Sequence, residues 1–440
     1  MYDQTNHGMK VFKFGGASVK DAEAVKNVMG ILSRYSDEPL CVVISAMGKT
    51  TNALEKLTDA WVNQDMIALE LLGQLEEYHN LIAGSLIENG SKPLQPVFAE
   101  LRKLLQAAPP EIYGAAYDMV VSFGELLSTT LLSAFLNEQQ VANRLLDARD
   151  LVITDESYRN GRVQWEETTR RIVNAFSDES PDHNNTITIT QGFIGSSMNG
   201  HPVTLGREGS DFSAAIFAFA LDAEEMIIWK DVPGVLNADP RFFSDTVKLD
   251  RITYRDAIEL AYFGASVIHP KTIQPLQNKS IPLYIKSFEQ PEEPGTMIHN
   301  FTETPSQIPS YISKPNQVLV SVSAKDFSFI AEDGLHTIFG LLSHMGIRTN
   351  LMQNSAISFS ICIDDQPEKL NRLFTALGGE FSIKYNQGLE LVTIRYYNQE
   401  TIDKVVNNRK ILLEQKSRLT VQLVVEGEAT VRSMKVKAKI

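Results

Sequence analysis

Cysteine is scarce: the 440 residues hold two, Cys41 and Cys362. Both sit in apolar, strand-like runs far apart in the chain. That excludes a disulfide framework and a thiolate metal site, and predicts buried thiols in a reducing compartment. Histidine is sparse too, with eight residues and no metal-ligand spacing. His269, in "VIHPKT", reads as structural. Positive charge is in deficit, with a formal net charge of −13, which argues against a nucleic acid or an anionic membrane as partner. The basic run "VRSMKVKAKI" at the end reads as solvated. No apolar run reaches the roughly 18 residues of a membrane span, and "MYDQTNHGMK" lacks the apolar stretch of a secretory signal. The expectation is a cytoplasmic protein without nucleic-acid or membrane partners. Two common catalytic signatures are also missing. G-x-S-x-G is absent, and "GKTT" at 48–51 would need a glycine where Val43 stands to make a Walker A loop.

What is present is an alternation. Apolar residues make up 43% and charged residues 22%, as in ordinary globular proteins, and the length predicts two or three domains. Short apolar runs recur at 10–14, 40–45, 142–148, 186–194, 225–230 and 281–286. Helical patterns lie between them, clearest at 118–139, 165–176 and 210–221. This predicts an α/β domain over 1–300 with a mainly parallel sheet sandwiched by helices. In such sheets ligands bind where strands end.

Prolines then crowd residues 288–316, which read as a linker, set at 301–316 between domains. Beyond it the order is strand, helix, strand, strand, helix, strand. That is a ferredoxin-like α+β unit over 317–388. A second unit over 389–440, with a helix over 399–416, lacks room to finish.

Five loops after strands carry candidate chemistry. In "KFGGAS", Lys13 and the glycines Gly15 and Gly16 make either a tight turn or a seat for phosphate. "SAMGKTTN" (45–52) is either a donor-rich loop or a helix start. "VVSFGELLSTTLLSAF" (120–135) is a buried apolar helix holding Glu125. That carboxylate either pairs with a protein cation or awaits a cationic ligand group, with Ser122, Ser128 and Thr129 lending polarity. "TLGREGSDFSAA" offers a helix N-terminus for an anion and Arg207 as a carboxylate clamp. Its Asp211 is a dipole complement or a catalytic acid. "WKDVPGVLNADPR" (229–241) is a long turn or a nucleotide loop.

Together "KFGGAS", "SAMGKTTN", "SFGELLST", "TQGFIG", "TLGREGSD", "WKDVPGVLNADPR" and "FGASVIHP" resemble, in order and spacing, the aspartate kinases of the amino-acid-kinase family. The downstream units resemble the ACT regulatory domains of those enzymes. The resemblance implies ATP-dependent phosphorylation of the L-aspartate side chain to 4-phospho-L-aspartate, the first step towards lysine, threonine and methionine. It implies ATP and Mg²⁺, no protein metal site, and a possible amino-acid effector at the ACT units, while the incomplete sheets of the C-terminal region suggest pairing between subunits, hence a homodimer. By motif, Lys13 and Asp211 would be catalytic. Thr51, Glu125, Arg207 and Ser210 would hold aspartate, with Glu125 on the ammonium and Arg207 on the α-carboxylate. Lys13, Phe14, Gly15, Gly16, Lys230, Asp231, Leu236, Arg241 and Ser266 would line the ATP site. Ala17, Glu208, Lys230, Leu236 and Ser266 depart from the residues usual in the family. Asn350 stands where lysine-inhibited relatives have an aspartate. The alternatives are a glutamate, N-acetylglutamate or nucleotide kinase of the same fold, and a non-catalytic ACT-type amino-acid sensor.

Overall fold

The computed structural model describes residues 8–177, 187–243, 245–265, 268–303, 307–326, 329 and 332–427. Ser266 and the basic tail lie outside the described residues. The chain divides into two units. The first comprises 1–235, 248–258 and 267–305, and the second 236–247, 259–266 and 306–440.

The first unit is built on strands β1 (Lys10–Phe14), β2 (Leu40–Ile44), β3 (Asn143–Leu146), β4 (Ile153–Thr154), β5 (Ile187–Gln191), β6 (Ile194–Ser197), β7 (Pro202–Thr204), β8 (Glu225–Lys230), β9 (Arg251–Ile252), β10 (Leu283–Ser287) and β11 (Thr296–Ile298). Eight of them form one sheet in the order β3-β5-β2-β1-β8-β10-β11-β9, and β4, β6 and β7 form a small second sheet. Pairing is parallel from β3 to β10, with β11 antiparallel to β10. β2 and β5 are buried at every position, as a sheet covered on both faces requires. Alternation along β1 sends Phe12 and Phe14 into a core cluster with the helices between Ala22 and Glu138. It sends Lys13 to the other face, where the Gly209–Ala220 helix packs on β1 and β2. The helices Tyr113–Val121 and Phe123–Glu138 run together long and apolar enough to span a bilayer. Most of that stretch is buried inside the protein, so their apolarity is that of core helices.

The second unit holds β12 (Ser310–Ala324), β13 (Thr349–Asn354), β14 (Ser358–Asp364), β15 (Phe381–Arg395), β16 (Ile411–Lys416) and β17 (Thr420–Glu426). They form one sheet in the order β13-β14-β12-β15-β17-β16, antiparallel throughout. The sequence predicts boundaries at 316/317 and 388/389, and the structure draws neither. β12 and β15 each run 15 residues through them. Pro315 does not stop β12, because the ladder bulges there: register shifts flank Gln317, and Asn316 and Gly388 take positive φ of 56° and 69°. Nor is the second half of the sheet short of strands, since residues 310–314 pair with 391–395 and complete it. The expected helix 399–416 ends at Val406. Asn407 and Asn408, both left-handed, break it, and β16 follows. Inside the expected 288–316 linker, β11 adds a strand to the large sheet.

Candidate active site

Three loops meet where parallel strands end. Ser45 N donates to the Phe14 carbonyl at 3.1 Å, Gly48 N to the Gly16 carbonyl at 3.0 Å, and Gly192 N to the Ile44 carbonyl at 2.9 Å. Close approach explains two glycines. A Cβ on Gly16 would stand 2.7 Å from the Ala46 carbonyl oxygen, and one on Gly192 would stand 2.6 Å from Ser210 Cβ. The Gly209–Ala220 helix starts above these loops with no side chain capping it, which leaves its first turn able to face an anion. The residue before it, Glu208, has φ of 55°. A non-glycine there costs about 1 kcal/mol of backbone strain.

Lys13 and Asp211 form the centre. Nζ lies 2.6 Å from Oδ1, and both side chains are buried. Burial alone would push the Asp211 carboxyl up. The charges of Lys13 and Lys230 outweigh it and hold the group below the usual carboxylate range. Lys13 also acts on Glu125, which is 1% exposed in the first turn of the Phe123–Glu138 helix. Gly124 lets that helix close on the second loop, where its Cβ would meet Ala46 Cβ at 2.9 Å. Glu125 Oε1 accepts from Ala46 N at 3.3 Å, while Oε2 is buried without a partner. Burial pushes its carboxyl up to about 8, against the pull of two backbone N–H groups and Lys13. A neutral carboxyl with an unpartnered oxygen suits an incoming cation that restores its charge.

The polar neighbours expected to support Glu125 do otherwise. Ser128 and Thr129 donate to the Glu125 backbone carbonyl and Ser122 to that of Met119, so none relieves the carboxylate. Thr50 Oγ1, beside the predicted Thr51, is buried and unpartnered. Ser210 Oγ donates to Ser45 Oγ at 3.2 Å. Arg207 is exposed. Phe14 stacks on Trp229, with centroids 5.9 Å apart, so its side chain serves the core and only its backbone faces the loops. Lys230 ends β8, and Asp231 beside it is exposed. Leu236 and Arg241 belong to the second unit, where Arg241 grips Asp239 with its Nη2 2.6 Å from Oδ2. His269 caps the Pro270–Lys279 helix, its Nδ1 accepting from Lys271 N.

One residue escaped the sequence reading. Asp118 is fully buried and accepts from Thr204 Oγ1 at 2.7 Å and Arg159 N at 2.8 Å. Burial raises its carboxyl, against those donors. It ties the 155–162 loop beside the Arg207 turn. The signal that marked Glu125, an acid in an apolar helix, marks "YGAAYDMVV" equally. Among the described residues no cluster of three acidic, histidine or cysteine side chains could hold a metal. A divalent ion carried by nucleotide phosphates fits this donor set, because Mg²⁺ commonly takes most of its ligands from phosphate and water.

Comparison with known proteins places the whole chain rather than its single residues. A sequence profile of the amino acid kinase family matches residues 8–287. The chain is 33% identical to the lysine-sensitive aspartokinase 3 of Escherichia coli K12, over 80% of this chain and 78% of that one. It is 34% identical to the chloroplastic aspartokinase 1 of Arabidopsis thaliana over 82% of its length, spanning 64% of that longer relative. Among solved structures, E. coli aspartokinase III with lysine and aspartate superposes with a TM-score of 0.81 at 28% identity, covering 96% of this chain and 97% of that one. The same enzyme with aspartate and ADP gives 0.78 at 27%, with the same coverage.

Proposed function

The chain belongs to the amino acid kinase family, and from that premise we propose that it phosphorylates the side-chain carboxylate of L-aspartate with ATP. The observation that carries this reading is Glu125: a buried acid with a free oxygen, within electrostatic reach of the Lys13–Asp211 pair. It selects a substrate with a free ammonium and disfavours acylated amines. A carboxylate oxygen attacks the γ-phosphorus, the bond to the β-phosphate oxygen breaks, and ADP leaves with that electron pair. The nucleophile is already ionised at neutral pH, so no strong base is needed. Repulsion between its charge and the phosphoryl oxygens is the barrier. Lys13 offsets that charge and Asp211 orients Lys13. The Gly15–Gly16 turn and the first turn of the Gly209–Ala220 helix supply N–H donors. Arg207 takes the α-carboxylate, and Thr51 and Ser210 line the aspartate. Lys230 and Asp231 receive the nucleotide. Mg²⁺ bound with the nucleotide supplies further charge neutralisation.

The test is a hydroxylamine trap. Protein with ATP, Mg²⁺ and L-aspartate is expected to yield aspartyl hydroxamate, while N-acetyl-L-aspartate yields none. Lys13→Ala is expected to lower kcat by about 100-fold or more. Wild-type product no greater than that of Lys13→Ala rejects the reading.

A cytoplasmic homodimer with an amino-acid effector belongs to the same proposal. Cys41 and Cys362 are free and buried, as in a reducing compartment. The six-stranded sheet ends in β13 and β16, edges that a second copy could extend. Asn350 sits in a closed network. It accepts from Lys314 Nζ at 3.1 Å and donates to Gln317 and Asp364 at 2.8 Å each. A lysine of the chain thus already engages Asn350, which argues against free lysine as the effector. Rates with lysine, threonine and methionine added singly decide it, and inhibition by lysine alone would refute that assignment.

A further inference from the structure

The first unit carries a cavity of about 400 Å³ whose lining includes neither Lys13 nor Asp211. It opens beside the Trp165–Phe176 and Gly209–Ala220 helices. Its walls include Asn160, Arg162, Trp165, Phe212, Phe219 and Lys271. Three of these are aromatic. Trp165 meets Phe219 and Phe212 edge-on, with centroids 5.1 and 6.3 Å apart, and is itself 37% exposed. Two are cations, and no carboxylate lines the cavity. That is unusual for a chain with 54 acidic and 41 basic residues. Asp155 feels Arg162 but stands outside the lining. The volume suits a small molecule, the aromatic walls suit a ring, and the excess of cations suits a negative charge.

We propose that this cavity binds an aromatic carboxylate. The ring lies against Trp165, Phe212 and Phe219, and the carboxylate meets Arg162 and Lys271. The cavity also has a route to the catalytic loops. Lys271 Nζ donates to Asn160 Oδ1 at 2.5 Å, and a Cβ on Gly206 would stand 2.9 Å from that same oxygen. Asn160 is therefore wedged between Lys271 and the turn that precedes Arg207. A carboxylate competing for Lys271 loosens this brace and raises the KM for the amino-acid substrate. That consequence rests on the function proposed above, whereas binding does not.

Binding is read without turnover. Trp61 and Trp229 are buried, so Trp165 is the tryptophan that a ligand can reach, and its fluorescence reports occupancy. The full chain is titrated with benzoate, phenylacetate and 2-naphthoate, and with uncharged phenylacetamide, by calorimetry and, for phenylacetate and phenylacetamide, by fluorescence. Saturable binding of at least one acid is expected, with phenylacetamide weaker by about tenfold, the worth of one charge-assisted hydrogen bond. Arg162→Glu is expected to weaken the acid by about tenfold or more while its hydroxamate activity without acid is unchanged. Trp165→Phe should keep binding by calorimetry and lose the fluorescence response. The proposal is overturned if no acid saturates below about 10 mM, if phenylacetamide binds as well as phenylacetate, or if Arg162→Glu binds like the wild type. Loss of hydroxamate formation with binding intact would fault the kinase reading alone.

Discussion

At the scale of single residues, the substrate selection proposed for Glu125 would be coupled to pH. Its folded-state pKa of about 8 lies above the 4.5 of an ordinary glutamate. The folded protein therefore holds a proton that the unfolded chain releases. Stability contributed this way is fully present below about pH 4.5, declines as pH rises towards 8, and levels off above it. Glu125→Gln removes the titration. Urea unfolding at pH 5 and pH 8.5 should show the variant stabilised relative to wild type at the higher pH, on the order of a few kcal/mol, and nearly equal to it at the lower. Hydroxamate formation should fall by about 100-fold or more. Stability differences that are the same at both pH values would show that Glu125 is already charged. Glu208 makes a different point at the same scale. Its left-handed backbone shows that the turn keeps its shape although the side chain disfavours it.

Among elements, what decides function is how closely the strand-end loops approach. The first loop lies on the second through the Gly16 and Gly48 backbones, with no room for a Cβ at Gly16. Gly16→Ala forces the loops apart. It should lower kcat/KM for ATP between about tenfold and a hundredfold while costing about 1–3 kcal/mol of stability. An unchanged kcat/KM would mean that the loops do not position the nucleotide. Much of this was legible in the chain itself. The runs at 10–14 and 225–230 are the strands β1 and β8, because short runs rich in β-branched and aromatic residues between turns have few other solutions. The resemblance of their motifs named Lys13 and Asp211, and the structure joins them. That the hydroxyls of Ser128 and Thr129 bond the Glu125 backbone rather than its carboxyl follows from a helix accepting such hydroxyls within its own turn, which no spacing reveals. β12 was misread because proline ordinarily ends a ladder. Only the pairing partner shows the bulge that tolerates it.

For the whole molecule, the two halves of the six-stranded sheet share their long strands. Lys314 and Leu391 face each other across the ladder, yet 76 residues separate them, and those residues build the other half. Replacing 315–390 with Asn-Gly would join the facing ends by a two-residue hairpin turn. The shortened protein should keep a cooperative thermal transition and form aspartyl hydroxamate. Aggregation, or loss of the transition, would show that the halves stand only together. Success would mean that one half of the sheet is a cassette spliced into the other. A lineage could then gain or discard it in a single genetic event, leaving behind a continuous sheet rather than a severed one.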